Sequence, residues 1–226
     1  MIKYKIASVD SVIIYFADSI SKKNATLVQS NYILLKNLNH DGIIDIIPSY
    51  TSILLHYDLK YFTNDLIIEF LKQNLLFETD VIKEEGRLIE IPIYYNTEVG
   101  FDLERISRLS KLDIKEIIRI HSSTVYSVYT IGFLPGFAYL GEVDKRIATP
   151  RLKSPRSSIP KGSLGIADNQ SAVYPVASPG GWNIIGRTYL DMFDKNLDGF
   201  SYLSVGDRVK FKAIDKSEFL ENGGVA

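Results

Sequence analysis

Three kinds of group in this chain are equipped for chemistry, and all fall in its second half. The first is His121, which shares one helical face with Ile114, Ile117 and Ile118. Imidazole titrates near neutral pH, so a histidine there is either a proton carrier facing a pocket or a core residue hydrogen-bonded to a carbonyl. The second is cationic. Residues 145–161 carry Lys145, Arg146, Arg151, Lys153, Arg156 and Lys161, interleaved with Pro150, Pro155 and Pro160. Proline excludes a helix there and favours an extended loop. Guanidinium on such a loop suits a carboxylate or phosphate, unless the loop is simply a solvated basic one. The third is backbone. Gly180-Gly181 either forms a tight turn or lets amide N–H groups approach an anion closely, and Arg187 follows on the same stretch.

Two glycine-rich runs frame these groups. Gly132-Phe133-Leu134-Pro135-Gly136-Phe137-Ala138-Tyr139-Leu140 places turn chemistry at Pro135-Gly136 among three aromatics. A plain surface turn is mostly polar, so Phe133, Phe137 and Tyr139 must plug a core or wall a cavity. Ser178-Pro179-Gly180-Gly181-Trp182 carries the chain's single tryptophan. The expectation is that the two runs face each other across a pocket.

The elements that would hold these runs follow from periodicity. Residues 3–9 and 11–16 read as short strands. Val28, Tyr32, Leu35 and Leu38 then mark a helical face, Ile43 to Ile47 and Ser52 to Tyr57 a strand pair, and Ile67, Phe70, Leu71 and Leu75 a second helical face capped at Thr63 or Asn64. This is the pattern of a small α+β layer. The charged stretch Lys83-Glu84-Glu85-Gly86 is the candidate linker, dividing the chain into 1–84 and 85–226. Beyond it come a strand from Leu88 to Tyr95, a helix marked by Leu103, Ile106 and Leu109, and a helix capped by Asp113. Glu116 stands at capping-box distance from that cap. After Val125, short apolar runs punctuated by Gly, Pro, Ser and Asn suggest a closed or nearly closed β-barrel: 164–167, 172–177, 182–185, 189–193 and 208–213.

Composition narrows the function. The chain has 226 residues, a formal net charge of −1 and no cysteine. These values leave no global field for nucleic acid, and no disulfide, thiolate metal site or cysteine nucleophile. The histidines, His40, His56 and His121, form no clustered metal-ligand motif, so no metal site is expected. No run approaches a membrane span, no signal-peptide pattern opens the chain, and no P-loop motif is present for ATP. The expected setting is the cytoplasm.

In combination these residues are recognisable. His121-Ser122-Ser123, the 132–141 run, Thr149-Pro150-Arg151, Pro160 to Ala167 and Tyr174 to Thr188 together resemble the allophanate hydrolase subunit 1 family, and Asp45 to Asp58 resembles its N-terminal half. The resemblance implies a ferredoxin-like α+β domain followed by a mainly β, cyclophilin-like barrel. It also implies a partner of the allophanate hydrolase subunit 2 type and, in one branch, a lactam-utilisation-type third subunit. That branch converts 5-oxoproline, ATP and water to glutamate, ADP and phosphate. Other branches inhibit a sensor histidine kinase or transfer a carboxyl group from carboxybiotin. Neither nucleic acid nor membrane is an expected partner. For the first branch the expected catalytic residues are His121, as proton carrier, and Arg187. The expected substrate-binding residues are Phe133, Pro135, Gly136, Phe137, Arg151, Ser178, Gly180, Gly181 and Trp182.

Overall fold

The computed structural model describes residues 2–77, 86–197 and 199–226. The chain divides into two compact units, Met1–Glu85 and Gly86–Ala226. Residues 83–85 of the expected linker lie outside the described residues.

The first unit runs β1 (Lys3–Ser8), β2 (Ser11–Tyr15), α1 (Lys22–Asn37), β3 (Ile43–Pro48), β4 (Ser52–Tyr57) and α2 (Asn64–Asn74). Its strands form one antiparallel sheet in the order β1-β2-β4-β3. A ferredoxin-like chain runs βαββαβ; here the order among the described residues is ββαββα, and the edge position beside β2 belongs to the N-terminal β1. Alternation in β2 and β4 sends Val12, Ile14, Ile53, Leu55 and Tyr57 into the core. Side-chain caps start both helices: Ser21 accepts from the Asn24 N–H and Thr63 from the Leu66 N–H. The α2 face is as expected at Ile67, Leu71 and Leu75. The α1 face is rotated, burying Leu27, Val28, Asn31 and Leu35 and leaving Leu38 exposed at the C-cap. The rotation serves Asn31. Its buried amide donates to the carbonyl of Leu76 (3.2 Å) and accepts from the Leu76 N–H (2.8 Å), so α1 clamps the chain leaving α2.

The second unit is mainly β. Its barrel strands are β5 (Leu88–Tyr94), β6 (Val125–Ile131), β7 (Ala138–Gly141), β9 (Ser163–Ala167), β10 (Gln170–Val173), β12 (Asn183–Arg187) and β13 (Arg208–Ile214). They close in the order β10-β7-β6-β13-β5-β12-β9. The β13–β5 pair is parallel, in register from Arg208 opposite Leu88 to Ile214 opposite Tyr94. A separate two-stranded ribbon joins β8 (Arg156–Ile159) to β11 (Ser178–Gly180). Helices α3 (Leu103–Ser110), α4 (Ile114–Ser123) and α5 (Lys216–Glu221) complete the unit. Inward residues such as Ile91, Ile93, Leu140, Leu164, Ile166 and Phe211 fill the barrel, joined by Ile106, Ile117 and Ile120 from the helices.

Two local expectations are corrected. Asp113 caps α4 by accepting from the Glu116 N–H at 2.7 Å, but the Glu116 carboxylate turns to Arg119 (2.6 Å) instead of back to the cap. A bidentate guanidinium outcompetes a single amide for a carboxylate. Residues 189–193 form no strand. They continue as a loop in which Met192 is buried in the barrel core and Phe193 makes one isolated bridge to Ser201.

Candidate functional site

The turn after β6 is built as its residues require. Pro135 and Gly136 occupy the central positions of a β-turn closed by the Phe137 N–H donating to the Leu134 carbonyl at 3.0 Å. Gly136 takes φ +79°, the left-handed value that position needs. A Cβ there would also meet the Met192 carbonyl. The turn delivers Phe137 to the centre of an aromatic cluster. Its ring stands edge-on to Tyr139 (4.9 Å), Tyr174 (5.2 Å), Phe133 (5.4 Å) and Trp182 (5.7 Å). Phe133 is 65% exposed and holds a left-handed backbone, φ 72°. That conformation costs an L residue roughly 1–2 kcal/mol, and strain of this kind collects at ligand sites.

The two glycine-rich runs meet. A cleft of about 290 Å³ is walled by Phe133, Phe137, Tyr139, Tyr174 and Trp182, with Arg151, Pro155, Pro179, Gly180 and Gly181 completing its rim. Arg151 lies with its guanidinium 5.7 Å from the Trp182 ring centroid, within range of a cation–π attraction. The other arginines of the basic loop are committed elsewhere: Arg146 to Asp144 (2.7 Å) and Arg156 to Asp102 (2.8 Å), while Lys161 pairs with Asp191 (2.5 Å). Arg151 carries no ion pair among the described residues. Burial pushes the Tyr174 hydroxyl up to about 12 and the Tyr139 hydroxyl upward, so both stay neutral donors at physiological pH.

Arg151 is held in place from both sides. The Leu152 N–H donates to the Gly181 carbonyl at 2.7 Å. On the other side, the fully buried Asn183 donates to the Pro150 carbonyl at 3.0 Å and to the Ile166 carbonyl at 3.0 Å. The Asn183 amide oxygen accepts from Arg105 of α3. Asp102, just before α3, receives the Ile184 N–H (2.8 Å) and the Arg156 guanidinium, and Arg156 lies opposite Gly180 in the ribbon. The start of α3 therefore ties together the arginine loop, the glycine ribbon and the strand that follows Trp182. Gly180 is tightly packed: a Cβ would meet the Tyr174 hydroxyl and, at 2.7 Å, the Ile159 side chain, so these buried side chains would have to shift. Gly181 is not; the nearest atom to its Cβ would be 3.6 Å away.

Of the expected substrate-binding residues, Phe133, Phe137, Arg151, Gly180, Gly181 and Trp182 line the cleft. Pro135 and Gly136 shape the turn behind it, and Ser178 is buried with its hydroxyl unpartnered. The two residues expected to be catalytic lie elsewhere. His121 is fully buried in the barrel, stacked 4.9 Å from Phe211, with Nδ1 against the Tyr95 hydroxyl (2.9 Å) and Nε2 against the Ser171 hydroxyl (3.1 Å). Burial pulls its pKa down to about 3, so the ring is neutral at physiological pH. Arg187 lines a different pocket, beside residues 223–225. The positioning residues Asp102, Arg105 and Asn183, and the wall residue Tyr174, were not among the expected site residues. Among the described residues, no group of acidic or histidine side chains is arranged to hold a metal ion, and no helix is long and apolar enough to cross a membrane.

The family model for "Carboxyltransferase domain, subdomain C and D" matches residues 2–203, and the chain belongs to this family, that of allophanate hydrolase subunit 1. Within it, a protein named as the B-type subunit of 5-oxoprolinase, from Bacillus subtilis (strain 168), is 34% identical over 230 residues, covering 96% of each chain. The protein of the same name from Haemophilus influenzae is 43% identical over 139 residues, 62% of this chain and 65% of that one. Among solved structures, TTHA0988 superposes with a TM-score of 0.80 at 28% identity over 92% of this chain, which spans 40% of that protein's length.

Proposed function

We propose that this chain is the B-type subunit of an ATP-dependent 5-oxoprolinase and that its aromatic cleft holds the five-membered lactam. The observation that carries the reading is the meeting of Trp182, Phe137 and Arg151 at one cleft. A flat ring bearing one carboxylate needs an aromatic face and one uncommitted, fixed cation. Arg151, held at Pro150 and Leu152, is such a cation. The full-length similarity to a protein named as this subunit of 5-oxoprolinase supports the same substrate.

An amide resists hydrolysis because its carbonyl carbon is poorly electrophilic. Transfer of the γ-phosphoryl group of ATP to the lactam oxygen releases ADP and activates that carbon. A first water adds, the ring C–N bond breaks and the nitrogen takes a proton, leaving an acyl phosphate; a second water then hydrolyses that acyl phosphate to glutamate and phosphate. In this reading the present chain orients the ring and excludes water from it. Phosphoryl transfer needs the subunit-2-type partner, the C-type member of the complex, and the lactam-utilisation-type third subunit, since this sequence contains no P-loop. His121 then serves the barrel rather than the chemistry, and Arg187 serves a separate pocket. The setting is the cytoplasm.

The test is co-expression of the chain with both partners and an assay of glutamate release from 5-oxoproline and ATP. Arg151→Ala should raise KM at least tenfold, the equivalent of about 1.4 kcal/mol for one lost charge-assisted hydrogen bond. Turnover indifferent to this substitution, or independent of ATP, refutes the assignment. The family's carboxyltransferase name favours one other reading, carboxyl transfer to an amide. It requires a biotinylated carrier, so loss of activity on adding avidin would select it.

A further inference from the structure

Arg187 stands at the end of β12, opposite Ser163 of β9 and Tyr94 of β5. Leu164, next to Ser163, points into the barrel, so Ser163 and Arg187 share the outer face of the wall. A pocket of about 370 Å³ opens there, lined by residues including Lys161, Arg187, Asp191 and Gly223 to Val225. Arg187 is 8% exposed, yet no carboxylate pairs with it among the described residues. Nη1 donates to the Val225 carbonyl at 2.6 Å, while Nε is buried without a partner. The Ser163 hydroxyl across the ladder is also buried and unpartnered. Asp191 does not compensate the guanidinium, because it pairs with Lys161 at the rim (2.5 Å). Gly162 keeps the seat open: its φ is +78°, and a Cβ would press on the Thr188 carbonyl and, at 3.3 Å, on the Arg187 side chain.

A buried guanidinium satisfied by one carbonyl is undercompensated, and its planar donors match an oxyanion. We propose that Arg187 and Ser163 form a second ligand site, distinct from the aromatic cleft, for the carboxylate or phosphate group of a small molecule, and that residues 223–225 occupy it when that group is absent. The Val225 carbonyl takes one guanidinium donor in the meantime. Gly224 lets this segment lie flat, since a Cβ there would strike the Phe219 ring at 2.5 Å. The site depends neither on the substrate assigned to the cleft nor on the partner subunits.

The experiment is calorimetric titration of the full chain with inorganic phosphate and, in a separate arm, with acetate. The expected result is one saturable site per chain for at least one probe, and the arm that saturates identifies the anion chemistry. Binding should persist in Arg151→Ala, weaken at least tenfold in Arg187→Lys and tighten several-fold when residues 223–226 are deleted. Absence of saturable binding to either probe overturns the site, as does binding lost in Arg151→Ala but kept in Arg187→Lys. If Arg187→Lys fails to fold by circular dichroism, Ser163→Ala replaces it: several-fold weaker binding supports the site and unchanged affinity overturns it. An affinity that does not rise on deletion overturns the occupancy of the site by residues 223–225.

Discussion

Asn183→Ala tests the idea that the cleft is assembled by a buried amide. The side chain has four partners, but they are unequal. Its bonds to the Pro150 and Ile166 carbonyls are both 3.0 Å; the contact to the Thr149 carbonyl is 3.4 Å, and that carbonyl already accepts from the Asp168 N–H at 2.8 Å. The count that matters is therefore two amide hydrogen bonds and one from the Arg105 guanidinium. At about 1 kcal/mol for each, the variant should lose about 3 kcal/mol. With a guanidinium chloride dependence of about 4 kcal/mol per molar, the midpoint falls by about 0.7 M. Trp182 is the chain's single tryptophan, so its fluorescence reports on the barrel unit without interference from the first unit. Far-UV circular dichroism of the same samples shows whether the fold is kept. A shift below about 0.2 M would mean that the amide contributes less than about 1 kcal/mol. That result, or a Trp182 response to 5-oxoproline equal to wild type, refutes the account of how Arg151 is held.

Two further outcomes follow from packing and burial. Gly180→Ala should destabilise the barrel unit or displace Tyr174, costing about 1–3 kcal/mol, whereas Gly181→Ala should change the same unfolding midpoint little; equal effects would refute the distinction. His121 gives a pH dependence. The unfolded chain binds a proton near 6.5 and the folded chain only near 3, so the unfolded state holds more protons between these values. Stability from this group is thus fully present above about pH 6.5 and falls by about 1.4 kcal/mol per unit as pH drops toward 3. His121→Gln should remove that slope from Trp182-monitored unfolding between about pH 6.5 and 4.5; an unchanged slope would refute it. His40 and His56 lie in the other unit.

The cleft was legible because apolar rings beside glycine and proline have few places to go, and the Phe137 and Trp182 runs do meet. The barrel was legible from short runs separated by turn residues. Arg187 falls outside the cleft because nearness in sequence is not nearness along a strand. At about 3.3 Å per residue, β12 carries Arg187 about 16 Å beyond Trp182, to the far end of the same wall. His121 sits on the apolar helical face as expected, but periodicity says nothing about what that face packs against. Only the fold shows that Phe211, Tyr95 and Ser171 enclose the ring. Asp102, Arg105 and Asn183 lack any local signature, because each is defined by partners dozens of positions away: 82 residues separate Asp102 from Ile184.

The parallel pairing of β13 with β5 has a consequence for biosynthesis. The strand that completes the wall begins at Arg208 and docks beside one that begins at Leu88. On the ribosome, the nascent chain exposes the raw edges of β5 and β6 throughout synthesis of everything between them and β13. Closing so long a loop is slow, and unpaired edges invite association with other chains. This unit thus matures only after nearly all of it has emerged, and a product truncated before Arg208 would be left with a gap in its wall and a tendency to aggregate.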